Sequence, residues 1–238
     1  MIRTAVFRIG KFSVLTVLFS FLLGSCTDFF STSLAPWAAR DPASLIPNVN
    51  AGNVDELIRK TRNDPDMSLE VLKGIKNASK NAKGQDLLTL QQASIQSATN
   101  ATGLAAALIS QAGNVSNIND INDAKELLES SLASIKNINS VSDNLNEILS
   151  RPGDQGWDSF VENSSADDMA IAAVLLLAGE AKASGDCYNY FDSFDPQNPA
   201  DAKGDLAVAL VKEAVDKAGS SGLSDSLKAL VEGLNLLI

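Results

Sequence analysis

The sequence predicts an all-α protein, and two observations carry that prediction. Apolar residues recur at three- and four-residue steps through most of the chain, which is the spacing of one buried helix face. After residue 25, no stretch alternates apolar and polar residues for long enough to indicate a half-buried strand. We therefore expect a single domain of about eight helices in antiparallel αα-hairpins, arranged as a bundle or a repeat-like array.

The first 25 residues have the features of a secretory signal peptide. Arg3, Arg8 and Lys11 give the start of the chain a positive charge, and an apolar stretch follows at residues 12–23. A transmembrane helix needs about 20 apolar residues, so this stretch is too short to span a membrane. We expect residues 1–25 to be removed by cleavage.

The apolar stretch ends in Leu23-Gly24-Ser25-Cys26. This tetrapeptide resembles the lipobox of bacterial lipoproteins, in which Leu stands three residues before a lipidated Cys. The resemblance implies that the mature chain begins at Cys26. It also implies a diacylglyceryl group on the sulfur of Cys26 and an acyl chain such as palmitate on its amine. Two or more acyl chains hold a protein stably to a bilayer.

The residue after the lipidated cysteine bears on the destination in the cell envelope. In the Gram-negative sorting pattern that the lipobox resembles, Asp at this place retains a lipoprotein in the inner membrane. Thr27 stands there, and Asp28 is one residue late. Outer-membrane delivery is therefore favoured, with the periplasmic and the outer side both open.

The mature chain is strongly acidic. Removal of the three basic residues of the signal peptide leaves 16 of 19 Lys and Arg against 29 Asp and Glu, a formal charge of −13. The phosphate backbone of a nucleic acid would repel such a surface, so we expect no nucleic-acid partner.

Histidine is absent from the chain, and there are two cysteines. The missing histidine removes the Ser-His and Cys-His catalytic pairs and the commonest nitrogen ligands of transition metals. If Cys26 carries lipid, Cys187 has no partner for an intramolecular disulfide. We predict neither an enzyme nor a bound cofactor or metal.

We interpret residues 26–52 as a tether between the lipid and the helical domain. We place the helical domain at residues 53–238. Prolines and turn-forming residues recur through this segment, with Pro36, Pro42 and Pro47 as examples. Phe29, Phe30 and Trp37 are unusual in a free linker. We expect their aromatic rings to dock on the domain or in the headgroup layer.

Capping signals divide the domain into helices. Asn53 and Glu56 suggest a capping box, and Asp64-Pro65 suggests the start of an amphipathic helix. The remaining predicted helices are a long one at residues 85–112 that passes through Gly103, one capped by Asn122, one that starts at Ser140 or Ser142, and two near the end at residues 205–218 and 224–237.

Residues 166–183 form the most apolar segment of the mature chain, with almost no polar face. Such a helix lies either inside a domain or inside a membrane, and its apolar run is too short to span. We therefore expect it at the centre of the core. Asp167 and Asp168 could act as paired catalytic carboxylates, but their place after Ser164 and Ser165 favours helix capping.

Small residues recur where helices are expected to cross, as at Ala98, Ala101 and Ala105. In this respect the chain resembles tetratricopeptide-type helical arrays, although it has no fixed 34-residue period. The resemblance implies a groove that could hold a peptide, a partner helix or a small ligand. A compact bundle without a groove is the alternative.

The most unusual mature segment, residues 185–204, combines aromatic and acidic residues. It suggests a recognition surface for a cationic or amphipathic partner or a sugar. The ligand order of a calcium-binding EF-hand is not present. The alternative is a long connection that its aromatic rings hold to the core. The candidate partner-binding residues are Tyr188, Tyr190, Phe191, Asp192, Phe194 and Asp195.

Taken together, these features predict an envelope lipoprotein whose helical domain binds or scaffolds another envelope component. The alternative is a carrier that holds a small apolar ligand between its helices and passes it to a membrane transporter. An apolar cavity of about 300 Å³ or more would favour the carrier, whereas a filled core would favour the scaffold.

Overall fold

The structure is a computed structural model that describes residues 41–104, 135–150 and 156–218, apart from the side chain of Tyr188. These residues form helices and no strand, which confirms the all-α prediction. The lipobox and the helices predicted after Asn122 and at residues 224–237 lie outside them. The helices described are α1 (Pro42–Leu45), α2 (Val54–Thr61), α3 (Pro65–Ser79), α4 (Gly84–Thr102), α5 (Ile138–Leu149), α6 (Gly156–Asn163), α7 (Ala166–Ala183), α8 (Cys187–Ser193) and α9 (Ala202–Ala218).

Helices α2 to α9 belong to one compact unit that starts at Ile46, and α1 belongs to the unit before it. Within the helical unit, Ile46, Val49 and Ala51 already pack against the apolar core. The last residues of the predicted tether are therefore part of the helical body.

Helix α2 begins where the sequence predicts, but the predicted capping box is wrong. The Asn53 side chain caps no helix N–H. Instead its Oδ1 accepts a hydrogen bond from the Asn50 N–H at 2.9 Å, and its Nδ2 donates to the Asn48 carbonyl at 2.9 Å. Glu56 pairs with Lys60 at 2.6 Å. The Asn53 amide thus fixes the preceding turn, which competes with capping for the same atoms.

Helix α3 starts as predicted from Asp64-Pro65. The Asp64 carboxylate accepts hydrogen bonds from the Asp66 and Met67 N–H groups at 3.1 and 3.0 Å. Helix α4 runs back along α3, because Ser97 near the end of α4 donates to the Ser68 carbonyl near the start of α3 at 2.9 Å. The two helices form the predicted αα-hairpin.

The expectation of one helix through Gly103 is wrong. Helix α4 ends at Thr102, and Gly103 adopts a left-handed conformation with φ of 69° while its N–H bonds back to Asn100. This is a typical glycine C-cap, in which the missing Cβ removes the steric penalty of positive φ.

Helix α5 starts before Ser140 and Ser142, the two starting residues that the sequence suggests. It begins at Ile138, and Asn137 precedes it in a left-handed conformation. Ile138 and Val141 are buried and extend the apolar face of the helix. The packing of these two residues places the helix start before Ser140.

Helix α7 has the predicted bounds and is the centre of the core. Its residues from Met169 to Gly179 are buried except for Ile171, and it contacts α4, α5, α8 and α9. Ser165 caps the helix by accepting from the Asp168 N–H at 3.0 Å, while its hydroxyl donates to the Asp168 carboxylate at 2.7 Å. The capping interpretation of this acidic pair is confirmed for Asp168.

The main contacts place the helices in successive layers. Helix α2 packs on α3 and α4, these pack on α5, α5 packs on α7, and α7 packs on α8 and α9. Helix α6 lies against α4. Helix α9 starts at Ala202, three residues before the predicted start, because Asp201 accepts hydrogen bonds from the Lys203 and Gly204 N–H groups.

Candidate functional site

The aromatic and acidic segment at residues 185–204 connects α7 to α9 and contains the short helix α8. The chain leaves α7 through Gly185, whose φ of 76° favours glycine. Asp186 then caps α8 by accepting from the Asn189 N–H at 3.0 Å. Because α8 packs on α7, the segment lies along the central helix.

The three described aromatic rings of this segment, those of Tyr190, Phe191 and Phe194, turn toward the core. Phe191 is buried, and Tyr190 and Phe194 are half-buried and pack against the core cluster. The Tyr190 ring centroid lies 5.4 Å from that of Phe191 in an edge-to-face arrangement and 5.9 Å from that of Phe194. Tyr190 and Phe194 thus keep partial contact with solvent, whereas Phe191 belongs to the interior.

The acidic residues of the segment lie at its outer side. Asp192 and Asp195 are exposed, and Asp195 also accepts a hydrogen bond from the Gln197 N–H at 2.9 Å. Asp186 and Asp201 hold the ends of α8 and α9 as described above. The segment therefore offers two half-buried rings beside two exposed carboxylates, which suits contact with a cationic or amphipathic partner.

Lys203 joins three helices beneath this surface, and the sequence alone did not reveal it. Its ammonium group donates to the Asp143 carboxylate of α5 at 2.7 Å and to the Glu180 carboxylate of α7. The side chain of Lys203 is only 18% exposed. Because its partners lie 60 and 23 residues away in sequence, no local pattern could have indicated the cluster.

The surroundings of Lys203 raise its pKa. Burial lowers the pKa, but the hydrogen bonds and charges of Asp143 and Glu180 raise it by more. The lysine is therefore held in its charged form, as a cation that neutralises two carboxylates. A permanently charged lysine suits a structural ion pair better than a catalytic base.

Tyr190 has an unusual phenol. Its hydroxyl is buried and has no hydrogen-bond partner among the residues that the structure describes. Burial raises the pKa of Tyr190, and the negative charges of Asp201 and Glu180 raise it further. The phenol thus stays neutral at physiological pH and contributes an apolar ring more than a polar group.

Cys187 is the one cysteine among the described residues. The thiol of Cys187 donates a hydrogen bond to the Ala181 carbonyl at 3.4 Å. Within the described ranges, no group of three Cys, Asp or Glu residues is placed to hold a metal ion. The predicted role of Tyr188, Tyr190, Phe191, Asp192, Phe194 and Asp195 in binding stays a prediction.

None of the helices in the described part of the chain is both long and apolar enough to cross a membrane. Comparisons with protein-family models, with curated proteins and with solved structures found no match to this chain.

Proposed function

We propose that this chain is a bacterial lipoprotein that lipid on Cys26 holds to the cell envelope, with the outer membrane favoured. The observation that carries the proposal is the succession of a basic start, a short apolar stretch and Leu23-Gly24-Ser25-Cys26. Thioether-linked and amide-linked acyl chains would give the stable anchoring that a single chain does not.

We further propose that the helical domain binds or scaffolds another envelope component and is not an enzyme. Among the described residues, the large apolar side chains that are exposed are those of Leu45 and Val215. A partner would therefore meet charged and amphipathic groups, such as the rings and carboxylates at residues 190–195.

The close packing around α7 favours the scaffold over the carrier. A Cβ atom built at Gly179 would lie 2.2 Å from the Ser142 Cβ, which is far inside ordinary contact distance. Helices that approach this closely leave no room for a ligand between them at that crossing. The apolar residues of α7 pack against α4, α5, α8 and α9.

Detergent phase partitioning of the full chain and of Cys26→Ser tests the anchor. The wild-type chain is expected in the detergent phase and the variant in the aqueous phase or as an unprocessed precursor. Cys187→Ser is the matched control and is expected to partition like wild type. Equal partitioning of wild type and Cys26→Ser would overturn the lipoprotein proposal.

A crosslinking experiment tests the binding role. A photoreactive amino acid at position 192, beside Tyr190 and Phe194, is expected to crosslink one defined envelope protein in intact cells. The same group at exposed Lys212 of α9 serves as the control and is expected to give no such product. The same product from both positions, or none from position 192, would contradict binding through this segment.

A further inference from the structure

Charge is distributed unevenly over the layers of the helical body. Residues 46–83, which contain α2 and α3, carry seven Lys and Arg against five Asp and Glu, a formal charge of +2. Residues 184–218, which contain α8 and α9, carry three Lys and Arg against seven Asp and Glu, a formal charge of −4. Residues 135–150 and 156–183, which contain α5, α6 and α7, carry two Lys and Arg against seven Asp and Glu, a formal charge of −5.

Helices α2 and α9 lie in different layers of the body. The main contacts of α2 are with α3 and α4, whereas those of α9 are with α7 and α5. The formal charge is positive in residues 46–83 and negative in the layers that follow. We call residues 46–83 the positive face and residues 184–218 the acidic face.

The basic groups of the positive face are accessible to a partner. Arg59, Lys60, Arg62, Lys80 and Lys83 are exposed. Ion pairs occupy part of the charge, since Lys60 pairs with Glu56 at 2.6 Å and Lys73 with Glu70 at 2.6 Å. The count of +2 already includes these two acids. Lys76 also pairs at 3.2 Å with Glu147 of α5, which lies outside the count, so a net charge of +1 remains after the ion pairs.

The chain enters the helical body on the positive face. Val49 lies directly over Gly74 of α3, where an added Cβ would be 2.3 Å from the Val49 Cγ2. Ile46 also packs on the core and is 20 residues after Cys26. A chain of that length reaches at most about 70 Å, which keeps this face within reach of the membrane that holds the lipid.

We propose that the positive face lies against anionic lipid headgroups and that the acidic face points away from the membrane. This inference rests on the proposed lipid anchor at Cys26. A membrane with anionic lipids has a negative surface potential, which attracts basic groups and repels acidic ones within about one Debye length. The tether length permits this orientation, and the charge distribution favours it.

Amine labelling of the acylated full chain in lipid vesicles tests the orientation. Vesicles of phosphatidylcholine with phosphatidylglycerol are compared with vesicles of phosphatidylcholine alone and with detergent micelles. In the anionic vesicles, labelling of Lys60 and Lys83 is expected to slow by about threefold or more, and high salt is expected to restore it. Lys212 of α9 is the internal control and is expected to change little.

Matched variants sharpen the test. Arg59→Gln with Arg62→Gln removes two charges from the positive face and is expected to reduce the protection of Lys60 and Lys83. Lys136→Gln with Lys212→Gln removes two charges elsewhere and is expected to leave that protection unchanged. If the vesicles retain the protein but Lys60 and Lys83 are labelled as fast as in micelles, the proposed orientation is wrong and the proposed anchor still stands. Failure of the acylated chain to stay with any vesicle would overturn the proposed anchor and this inference with it.

Discussion

Ser142 of α5 and Gly179 of α7 form a close helix crossing in the core. The Ser142 side chain lies over the Gly179 backbone, and its hydroxyl donates to the Leu176 carbonyl at 3.1 Å. A Cβ at position 179 would meet the Ser142 Cβ at 2.2 Å. The absence of a side chain at Gly179 is therefore what allows α5 to approach the central helix.

Gly179→Ala should destabilise the fold by about 1 to 3 kcal/mol, because overpacking a filled core forces the helices apart. The greater helix propensity of alanine would offset about 1 kcal/mol of that loss. Chemical denaturation of a double-mutant cycle with Ser142→Gly measures the contact. The double variant is expected to recover part of the loss, and strictly additive effects would contradict the close crossing.

Leu175→Ala and Leu176→Ala should each lower the free energy of unfolding by about 2 to 5 kcal/mol, since each leaves a cavity in a packed core. Both side chains are fully buried at 0% exposure. The control is Lys212→Ala on the exposed side of α9, for which a change below about 0.5 kcal/mol is expected. Lys76 on the amphipathic helix α3 would be a poorer control, because it pairs with Glu147 of α5 at 3.2 Å. Near-wild-type stability of both leucine variants would show that α7 is not the centre of the core.

Tyr190→Phe should leave stability at pH 7 unchanged or raise it by up to about 1 kcal/mol. The substitution removes a buried hydroxyl that has no hydrogen-bond partner in the described part of the chain. A buried hydroxyl without a partner costs desolvation free energy that no hydrogen bond offsets. Urea denaturation at pH 7 measures the change. A loss of more than about 1 kcal/mol in Tyr190→Phe would mean that the hydroxyl makes a stabilising contact.

Stability should fall as the pH rises above about 10, the ordinary pKa of tyrosine. The folded state raises the pKa values of Tyr190 and Lys203, so both groups hold their protons in the folded chain after the unfolded chain has lost them. Their contributions are complete below the unfolded pKa values and are lost as the pH rises toward the folded ones. Denaturation midpoints from pH 8 to 11 measure the effect. Tyr190→Phe should weaken this dependence, and an identical dependence in that variant would contradict the assignment to Tyr190.

Lys203→Gln should lower the free energy of unfolding by about 1 to 3 kcal/mol. It leaves Asp143 and Glu180 without the cation that joins them, and Glu180 is only 23% exposed. Lys203→Arg keeps the charge and is expected to retain part of the stability. Equal stability of wild type and Lys203→Gln would show that the three-helix ion pair contributes nothing measurable.

The sequence predicted the elements whose signals are local. The bounds of α7 follow from its apolar composition and from Ser165 and Asp168 at its start, and α3 follows from Asp64-Pro65. The end of α4 was missed because a glycine inside a periodic apolar pattern can either continue a helix or cap it. Only the backbone conformation at Gly103 separates these outcomes.

The sequence indicates which segment contains the candidate site, but it does not indicate how the side chains of that segment are arranged. The aromatic and acidic composition of residues 185–204 marks it in the sequence, yet the sequence does not tell which rings turn inward. Burial of Phe191 follows from its contact with the core, and the Lys203 ion pair follows from the tertiary packing of α5, α7 and α9. Neither depends on a spacing that a sequence pattern could contain.

Mass spectrometry of the mature amino-terminal peptide tests the central claim most directly. The protein is purified from bacterial membranes and digested, and the peptide that contains Cys26 is isolated. The account predicts that this peptide begins at Cys26 and carries the mass of a diacylglyceryl group, with a further acyl chain on the amine where the host adds one. A peptide that begins at another residue, or that contains an unmodified Cys26, would contradict it.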